Sequence, residues 1–453
     1  MEFDSPRVAI VGAGPSGLFA AQSLLADPSL RVDIFDRLPS PFGLLRYGVA
    51  PDHTSIKSVA TALARVFDSD RVRFHGLVQF GRDVTRDELL AAYDAVIYAA
   101  GASEDLRMRI PGEDLPGSRS AREFVAWYSG HPDAPRQDLH GVRRAATVGV
   151  GNVAVDVARI LIKTRDQLAE TDMPEAVLNE LHAHEIDDVY VIGRRGPQHA
   201  SFTTTELREL VSTPGVQVIV PAESFEGVEE ASLDRRTRAN LQVLAEAAAR
   251  VVEAPRARLH FLFWRRPVEL TGGEHVSAIT LERTALDVEG RVIGTGELTN
   301  IPVELVLRAI GYRAVPLPGV PFDATHGVIP NAEGRVLGPT AHRALGEYVV
   351  GWIKRGPIGV IGTNKSDAAQ TVRHLLADLA ERPAPSARLD LAGAMRARGF
   401  APSSFEDWQR IDAAEVGRGH SAGRERTKIE AWHELLDLVR RERPGGPATP
   451  GDR

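Results

Sequence analysis

The chain of 453 residues contains no cysteine. This absence excludes disulfide bonds, a redox-active C-x-x-C pair and any cysteine-ligated iron–sulfur cluster on the chain. If the protein handles electrons, an organic cofactor must therefore carry them.

The chain also has no long apolar run and no excess of positive charge. No window approaches the roughly 18 to 20 apolar residues that a membrane-spanning helix needs. The formal net charge of −7 provides no basic field that would attract nucleic acid. The composition, 43% hydrophobic and 25% charged, is typical of a soluble globular protein. The first expected strand, 7–11, starts so close to Met1 that we expect no targeting peptide and a cytoplasmic location.

The stretch VAIVGAGPSG is typical of a strand, a glycine-rich turn and the start of a helix. Gly12 would make the tight turn, Gly14 would let a pyrophosphate approach the backbone, and Gly17 would allow close packing of helix on strand. The next strand, RVDIFD, ends in Asp36, about 20 residues after Gly17, where a carboxylate can accept hydrogen bonds from ribose hydroxyls. A glycine turn with a surface aspartate is the alternative. Because strand, spacing, acid and helix agree, we assign this site to FAD.

A second stretch, AATVGVGNVA, repeats this pattern a whole domain later. Gly149, Gly151 and Ala154 match the G-x-G-x-x-G/A form. The following strand, DDVYVIG, leads into Arg194 and Arg195 rather than an acid, and two guanidiniums suit a 2′-phosphate. An ordinary basic turn is the alternative. We therefore predict a site for NADP, with NADPH preferred over NADH.

The two glycine loops predict two dinucleotide-binding domains. Each loop is later followed by an apolar strand ending in glycine, VIYAAGA and VLRAIGY, where we expect the chain to pass from one domain to the other. Strands alternating with helices favour parallel α/β sheets. We therefore predict an α/β fold of two Rossmann-like domains. An NADP domain, 104–315, is inserted into a discontinuous FAD domain, 1–103 and 316–453. The FAD domain ends in a helical extension. Within the NADP domain, a helical insertion at 172–184 lengthens the connection between the glycine loop and the next strand.

Several longer stretches resemble signatures of the adrenodoxin reductase family, which includes bacterial ferredoxin–NADP reductases of the same fold. In chain order they are PFGLLRYGVAPDH (41–53), GVGNVAVDVAR (149–159), GRR (193–195), FTTTELREL (202–210) and GWIKRGPIGVIGTNKSDA (351–368). FEDWQRID and the later GRERTKI are similar to that family too. The resemblance covers nearly the whole chain. It implies one domain for FAD, one for NADPH, and a small iron–sulfur protein as electron acceptor.

The resemblance also implies which residues line the flavin. These are Leu44, Trp352, Gly359, Val360 and Ile361, with Gly359 near the nicotinamide as well. A glycine-rich turn before a helix can direct backbone N–H groups at the flavin and stabilise charge on the reduced ring. For Trp352, a place in the core is the alternative.

Four polar residues are expected near the two cofactors, and we predict His53, Asp156 and Glu209 as catalytic. The resemblance places His53 beside the isoalloxazine with a hydrogen bond to Asp156, gives Glu206 a contact to NADPH, and makes Glu209 an acid near the nicotinamide. From the residues alone, His53 is a loop histidine and Asp156 a carboxylate favoured in an early helical turn. Glu206 and Glu209 are neighbours on one helix face, where such pairs are usually solvated.

Other cofactor contacts are predicted around the loops and strands of both domains. They are Pro15, Ser16, Arg46, Val78, Asn152 and Val153. Two positions depart from the family pattern: Asp36 stands where glutamate is expected, and Ile358 replaces a residue with a hydroxyl. We expect no metal site.

Together these expectations describe a reductase that moves hydride from NADPH to FAD and single electrons from FAD to a ferredoxin. Hydride transfer requires the nicotinamide C4 to lie close to the flavin N5. Because ferredoxins are usually acidic, an acidic reductase needs a local basic patch for a transient, electrostatic encounter. The candidates are Arg208, Arg235, Arg236, Arg238, Arg265 and Arg266, unless these are scattered surface charge.

Two other classes of protein stay open. A flavin monooxygenase, or another NADPH-dependent oxidoreductase acting on a small molecule, would share both glycine loops, although no aromatic–glycine–histidine signature lies between them. A redox-sensing binding module would use nucleotide occupancy to regulate a partner.

Overall fold

The computed structural model describes residues 5–229, 231, 233–359, 361–382 and 387–440, and for residues 54–57 it describes only the backbone. Contacts divide the chain into two compact units. The first unit consists of Met1–Val49, His53–Glu104 and Tyr312–Arg453, and the second of Ala50–Asp52 and Asp105–Gly311. The predicted boundaries of the cofactor domains lie after residues 103 and 315.

The strands of the described residues are short. In chain order they are β1 (Arg7–Val11), β2 (Arg31–Phe35), β3 (Val72–His75), β4 (Ala95–Tyr98), β5 (Glu104–Asp105), β6 (Ser118–Ser120), β7 (Arg144–Val148), β8 (Asp188–Ile192), β9 (Val216–Ile219), β10 (Ala257–Leu262), β11 (Arg265–Gly272), β12 (Val276–Leu286), β13 (Val292–Pro302), β14 (Leu305–Arg308), β15 (Tyr312–Arg313), β16 (Asn331–Ala332), β17 (Arg335–Leu337) and β18 (Arg343–Val349).

Helices alternate with these strands and follow them at the C-terminal end. They are α1 (Pro15–Leu24), α2 (Leu44–Tyr47), α3 (Thr54–Ala64), α4 (Arg86–Ala92), α5 (Ala121–Tyr128), α6 (Asn152–Ile162), α7 (Arg165–Ala169), α8 (Glu175–Ala183), α9 (Thr204–Val211), α10 (Arg235–Ala249), α11 (Trp352–Arg355), α12 (Ile361–Glu381), α13 (Leu391–Ala397), α14 (Phe405–Ser421) and α15 (Trp432–Arg440).

The first unit contains a seven-stranded sheet in the order β16–β17–β18–β4–β1–β2–β3. β1 pairs in parallel with β2 on one side and with β4 on the other. Val8 and Ile10 belong to one apolar cluster, while Ala9 and Val11 belong to another. After the exposed Arg7, β1 is apolar because both of its faces are buried. The strand order reverses beside β1, and ligands of parallel α/β sheets bind at the carboxyl ends of strands at such a point.

The second unit contains a six-stranded parallel sheet in the order β6–β14–β7–β8–β10–β9. β7 lies between β8 and β14, so the strand order reverses beside this strand as well. The antiparallel sheet β11–β12–β13 packs on it, with Ile279 and Leu281 in one apolar cluster with Ala146 and Val148. The predicted helical insertion is confirmed, because α7 and α8 lie between α6 and β8.

The predicted α/β class with parallel sheets is confirmed, and the helical extension is present as α13, α14 and α15. Within the described ranges, none of the helices combines the length and the apolar character that crossing a membrane requires.

His184, directly after α8, is a histidine whose environment disfavours its charge. Its Nδ1 accepts a hydrogen bond of 3.1 Å from the Ile186 N–H, and its Nε2 is buried with no partner among the described residues. Burial, followed by the nearby Arg256 cation, lowers the pKa of His184 from 6.5 to about 4. The folded chain therefore keeps this imidazole neutral where the unfolded chain protonates it.

We expect this histidine to make folding less stable in mild acid. A group whose pKa is depressed on folding contributes stability above its unfolded pKa, and this contribution is lost as the pH falls toward the folded value. Between about pH 7.5 and about pH 5 the wild type should lose about 2 kcal/mol more unfolding free energy than the His184→Gln variant. Urea unfolding of both proteins at both pH values measures the difference. Equal losses would show that His184 titrates normally.

Candidate functional site

The first glycine loop connects β1 to α1. Gly12 has a φ of +109°, and a Cβ there would lie 2.6 Å from the Ala99 carbonyl oxygen, so only glycine fits. A Cβ on Gly17 would collide with the Gly12 carbonyl group, whereas a Cβ on Gly14 would meet nothing within 4 Å. α1 begins at Pro15, whose missing N–H costs nothing at a first helical position. The open space at Gly14, before a helix N-terminus, is where a pyrophosphate can approach.

Asp36 follows β2 and lies beside this loop. Its Oδ2 accepts a hydrogen bond of 2.8 Å from the Ala13 N–H, and its Oδ1 accepts one of 3.0 Å from the Leu38 N–H. Burial raises the pKa of Asp36 above its usual range. The buried Val78 donates its N–H to the Asp36 carbonyl oxygen at 2.9 Å. Because each carboxylate oxygen has a further lone pair, Asp36 has the capacity to accept hydrogen bonds from ribose hydroxyls as well.

The turn predicted to face the flavin lies between α11 and α12. The indole Nε1 of Trp352 is buried and has no hydrogen-bond partner among the described residues. Gly359 has a φ of +93°, which favours glycine. Ile361 is the first residue of α12, and Val360 lies outside the described residues. Trp352 thus offers a donor that a ligand could satisfy.

Two other predicted flavin contacts have different surroundings. Leu44, the first residue of α2, is 40% exposed. Arg46, by contrast, is buried, and its guanidinium donates to Glu415. On α1, Ser16 Oγ donates to Asn364 Oδ1 on α12 at 3.0 Å. Leu44 is therefore accessible, whereas the guanidinium of Arg46 already has a carboxylate partner.

The second glycine loop connects β7 to α6 in the same way. Gly149 has a φ of +135°, and a Cβ there would collide with the Ala309 carbonyl oxygen. Gly151 is the N-cap of α6. Asn152 Oδ1 accepts a hydrogen bond of 2.8 Å from the N-cap N–H of α9, and the partly buried Val153 packs on the core of the unit. This loop also presents a helix N-terminus at the reversal of strand order.

The arginine pair follows β8, the strand beside this loop. Thr284 Oγ1 donates to the Arg194 carbonyl oxygen at 2.9 Å, which holds the turn. Arg194 is exposed and Arg195 is half-buried, and among the described residues neither guanidinium forms an ion pair. Burial, together with the Arg195 cation, lowers the pKa of His199. Two cations without a carboxylate partner suit a 2′-phosphate.

Arg159, which local sequence patterns did not single out, has a fully buried side chain on α6. Its Nε lies 2.8 Å from Asp52 Oδ2, and its Nη2 lies 3.0 Å from Asp52 Oδ1. Lys163 Nζ adds a third contact to Asp52 at 2.5 Å. Burial alone would raise the pKa of Asp52, but the two cations outweigh it and hold that pKa below the usual range.

Arg159 also gathers three of the predicted polar residues. Its Nη2 lies 3.0 Å from Asp156 Oδ1, and its Nη1 lies 3.1 Å from Glu206 Oε2 and 3.5 Å from Glu209 Oε2. The solvated alternative is therefore wrong for Glu206, which is buried, although Glu209 is exposed. One sequence signal could have indicated this pairing. NVAVDVARILI contains a single arginine among mostly apolar residues, and a buried arginine must be paired.

His53, the next residue after Asp52, is buried and lies just before α3. The predicted hydrogen bond from His53 to Asp156 joins residues of different units and stays a prediction.

Both units fit the cofactors that the sequence predicts. In the first unit, the open face of Gly14, the carboxylate of Asp36 and the indole N–H of Trp352 suit a flavin dinucleotide. In the second unit, the N-terminus of α6 at Gly151 and the arginine pair at Arg195 suit NADP. Two unlike dinucleotide sites in one chain define the class of two-nucleotide flavoprotein oxidoreductases.

Comparison with known proteins agrees with this class. Residues 6–339 match the family described as pyridine nucleotide-disulphide oxidoreductase. The chain therefore belongs to this family, and its resemblance to the adrenodoxin reductase group is confirmed by the two relatives described next.

Two curated relatives show the similarity along most of the chain. NADPH-ferredoxin reductase FprA of Mycobacterium tuberculosis is 44% identical, over 95% of this chain and 98% of the relative. The mitochondrial NADPH:adrenodoxin oxidoreductase of Homo sapiens is 40% identical, over 96% of this chain and 92% of the relative. A solved structure of Mycobacterium tuberculosis FprA in complex with NADPH matches with a TM-score of 0.90 at 43% identity, covering 96% of this chain and 99% of that one.

We expect Arg159 to be essential for the stability of the second unit. Removing one partner of a buried ion pair leaves uncompensated charge, so Arg159→Gln should lower the unfolding free energy by about 3 to 5 kcal/mol. Arg143→Gln is the control, because Arg143 Nη2 also contacts one carboxylate, Asp187, at 2.7 Å, but the two side chains are 59% and 34% exposed. The control should cost about 1 kcal/mol or less. Denaturant unfolding measures both, and equal costs would contradict the importance of burial at Arg159.

Proposed function

We propose that this chain is an FAD-dependent reductase that oxidises NADPH and passes electrons singly to a ferredoxin-type iron–sulfur protein. Relatives 44% and 40% identical are named NADPH-ferredoxin reductase and NADPH:adrenodoxin oxidoreductase, and a solved relative is described in complex with NADPH. Because this chain has no cysteine, a cysteine-ligated cluster must belong to the acceptor protein.

The observation that carries the proposal is the presence of two unlike nucleotide loops. The first is accompanied by a carboxylate, Asp36, which suits a ribose without a phosphate. The second is accompanied by Arg194 and Arg195, which form no ion pair among the described residues and suit a 2′-phosphate. One chain can thus bind both an NADPH donor and a second dinucleotide that accepts its electrons.

The protein's own residues bind and orient these ligands. Gly14 and Gly151 would let phosphates reach the N-termini of α1 and α6, and the buried Nε1 of Trp352 would donate a hydrogen bond to the flavin. The turn at Gly359 and Ile361 would direct backbone N–H groups toward the flavin ring. A bound FAD would supply the hydride acceptor and the one-electron donor that this reaction needs.

The proposed catalytic residues are His53, Asp156 and Glu209, with Glu206 in contact with NADPH. Support for the acidic members comes from Arg159, which holds all three carboxylates on one buried guanidinium. Their roles in positioning the nicotinamide stay predictions, as does the cytoplasmic location.

The experiment that tests the function compares nucleotides and acceptors. The purified chain should show a flavin absorption spectrum, oxidise NADPH in preference to NADH, and reduce cytochrome c only when a ferredoxin is added. Replacing both Arg194 and Arg195 with alanine should raise the KM for NADPH about ten- to hundred-fold. NADH is the internal control, because it has no 2′-phosphate and its KM should not change. A chain that takes up no flavin would refute the proposal.

We further propose that the acceptor docks transiently on a basic surface of the second unit. Arg235, Arg236 and Arg238 are exposed in the first turn of α10, where the helix dipole disfavours cations. α10 packs against α9, which carries the exposed Arg208. Among the described residues, none of these four forms an ion pair, so their charge is available to an acidic partner.

The other two candidates are less suitable for this surface. Arg266 is already paired with Glu282 at 2.6 Å. Arg265 donates to the Trp264 carbonyl oxygen at 3.0 Å. We therefore define the basic surface as Arg208, Arg235, Arg236 and Arg238.

Reversing charge on this surface should slow ferredoxin reduction. With Arg235, Arg236 and Arg238 all changed to glutamate, the rate at low salt should fall about ten-fold or more and depend less on salt. Reduction of ferricyanide by NADPH should be unaffected, because a small acceptor needs no docking surface. Arg136→Glu, at an exposed arginine outside this surface, is the control. An unchanged salt dependence in the triple variant would place the docking surface elsewhere.

A further inference from the structure

A buried ion pair in the first unit joins α2 to α14. Arg46 donates from Nη1 and Nη2 to the two oxygens of Glu415, at 3.0 and 2.5 Å. The side chain of Glu415 has no exposed surface, and that of Arg46 is 6% exposed. The Arg46 guanidinium carbon also lies 4.7 Å from the ring centroid of Trp408 on α14. A forked pair with a cation–π contact fixes the orientation of both elements.

The chain after α14 completes this arrangement. Arg426 Nη1 donates to Glu415 Oε2 at 3.0 Å, and the Ile429 N–H donates to Oε1 at 2.9 Å, so each oxygen of Glu415 accepts two hydrogen bonds. Lys428 Nζ donates to the Arg46 carbonyl oxygen at 2.7 Å. These bonds offset the cost of burying the Glu415 charge, whereas Arg46 Nε is buried with no hydrogen-bond partner among the described residues.

The residues just before α2 lie directly on the first glycine loop. The Phe42 N–H donates to the Ala13 carbonyl oxygen at 2.8 Å. A Cβ on Gly43 would lie 2.9 Å from Gly14 Cα, which shows how closely the two loops approach. Phe42 has a φ of +83°, a strained conformation for a bulky residue that persists only when its surroundings hold it. Its ring meets the Trp408 ring with the centroids 5.9 Å apart.

From these contacts we propose that Glu415 and Trp408 are positioning residues for FAD. Glu415 holds Arg46 and Trp408 holds Phe42, so that α14 fixes both ends of the short segment that lies against Gly14. Affinity for the dinucleotide then depends on a residue 369 positions away from Arg46 in the chain. The inference rests on the proposed binding of FAD to the first unit.

The test measures FAD binding by full-length apoprotein rather than activity. Glu415→Gln should raise the Kd for FAD, measured by flavin fluorescence, about ten-fold or more, because it leaves Arg46 buried without its partner. Glu434→Gln is the matched control. Glu434 also pairs with an arginine of α14, Arg418, but there the side chains are 47% and 36% exposed. Its Kd should stay within about two-fold of the wild type.

Thermal unfolding with and without FAD separates positioning from general stability. At a fixed free concentration, a ligand stabilises the folded state more when its Kd is lower. The rise in Tm on adding FAD should therefore shrink in Glu415→Gln and stay unchanged in Glu434→Gln. If Glu415 contributed only to stability, Glu415→Gln would have a lower Tm both with and without FAD, by the same amount. The rise in Tm on adding FAD would then equal that of the wild type.

The possible outcomes separate this inference from the proposed function. A folded Glu415→Gln variant with wild-type Kd and wild-type rise in Tm would overturn the inference alone. If that variant does not fold, Arg46→Lys decides by the same two measurements, because lysine keeps the charge but loses the fork. A wild-type chain that binds no FAD would overturn the proposed function and the inference with it.

Discussion

The close approach of a glycine to a neighbouring carbonyl group is the constraint on which both nucleotide sites depend. Gly12 lies against the carbonyl of Ala99, just after β4, and Gly149 lies against that of Ala309, just after β14. In each unit this carbonyl group belongs to the residue just after a neighbouring strand, β4 beside β1 and β14 beside β7. That neighbour lies on the opposite side from β2 and β8, the next strands along the chain. A side chain at either glycine would push the loop away from that strand. The helix N-terminus would then no longer lie over the space left for phosphates.

Two buried arginines organise the surroundings of these loops. Arg159 contacts four carboxylates of the second unit. Arg46 contacts one carboxylate of the first unit, Glu415, which also accepts hydrogen bonds from Arg426 and from the Ile429 N–H. In both cases, hydrophobic side chains of similar size could stabilise the fold as well or better. What the charged groups add is direction, because a guanidinium bonds only where its N–H groups point. Arg159 lies on α6, the helix that follows the second glycine loop. Arg46 lies on α2, and the residues just before α2 contact the first glycine loop.

Local patterns were sufficient to predict the glycine loops, the acid after β2, the arginine pair after β8 and the parallel α/β class. Each of these depends on residues within one strand–loop–helix unit, so a short window contains the whole signal. Apart from Asp156, three residues before Arg159, the partners of Arg159 and Arg46 were beyond such windows. Asp52 and Arg159 are 107 positions apart, and Arg46 and Glu415 are 369 apart. No spacing rule connects them, because their proximity results from the packed topology. For the same reason Arg46 was predicted only as a cofactor contact.

The short segment Ala50–Asp52 has a consequence for modularity. It belongs to the second unit although the chain around it belongs to the first, and Asp52 is the forked partner of Arg159. A fragment covering only residues 105–311 would contain a buried guanidinium without that carboxylate. The second unit is therefore not complete in one continuous stretch of the chain. A chimera that exchanges nucleotide domains between relatives would have to transfer this tripeptide together with the inserted domain.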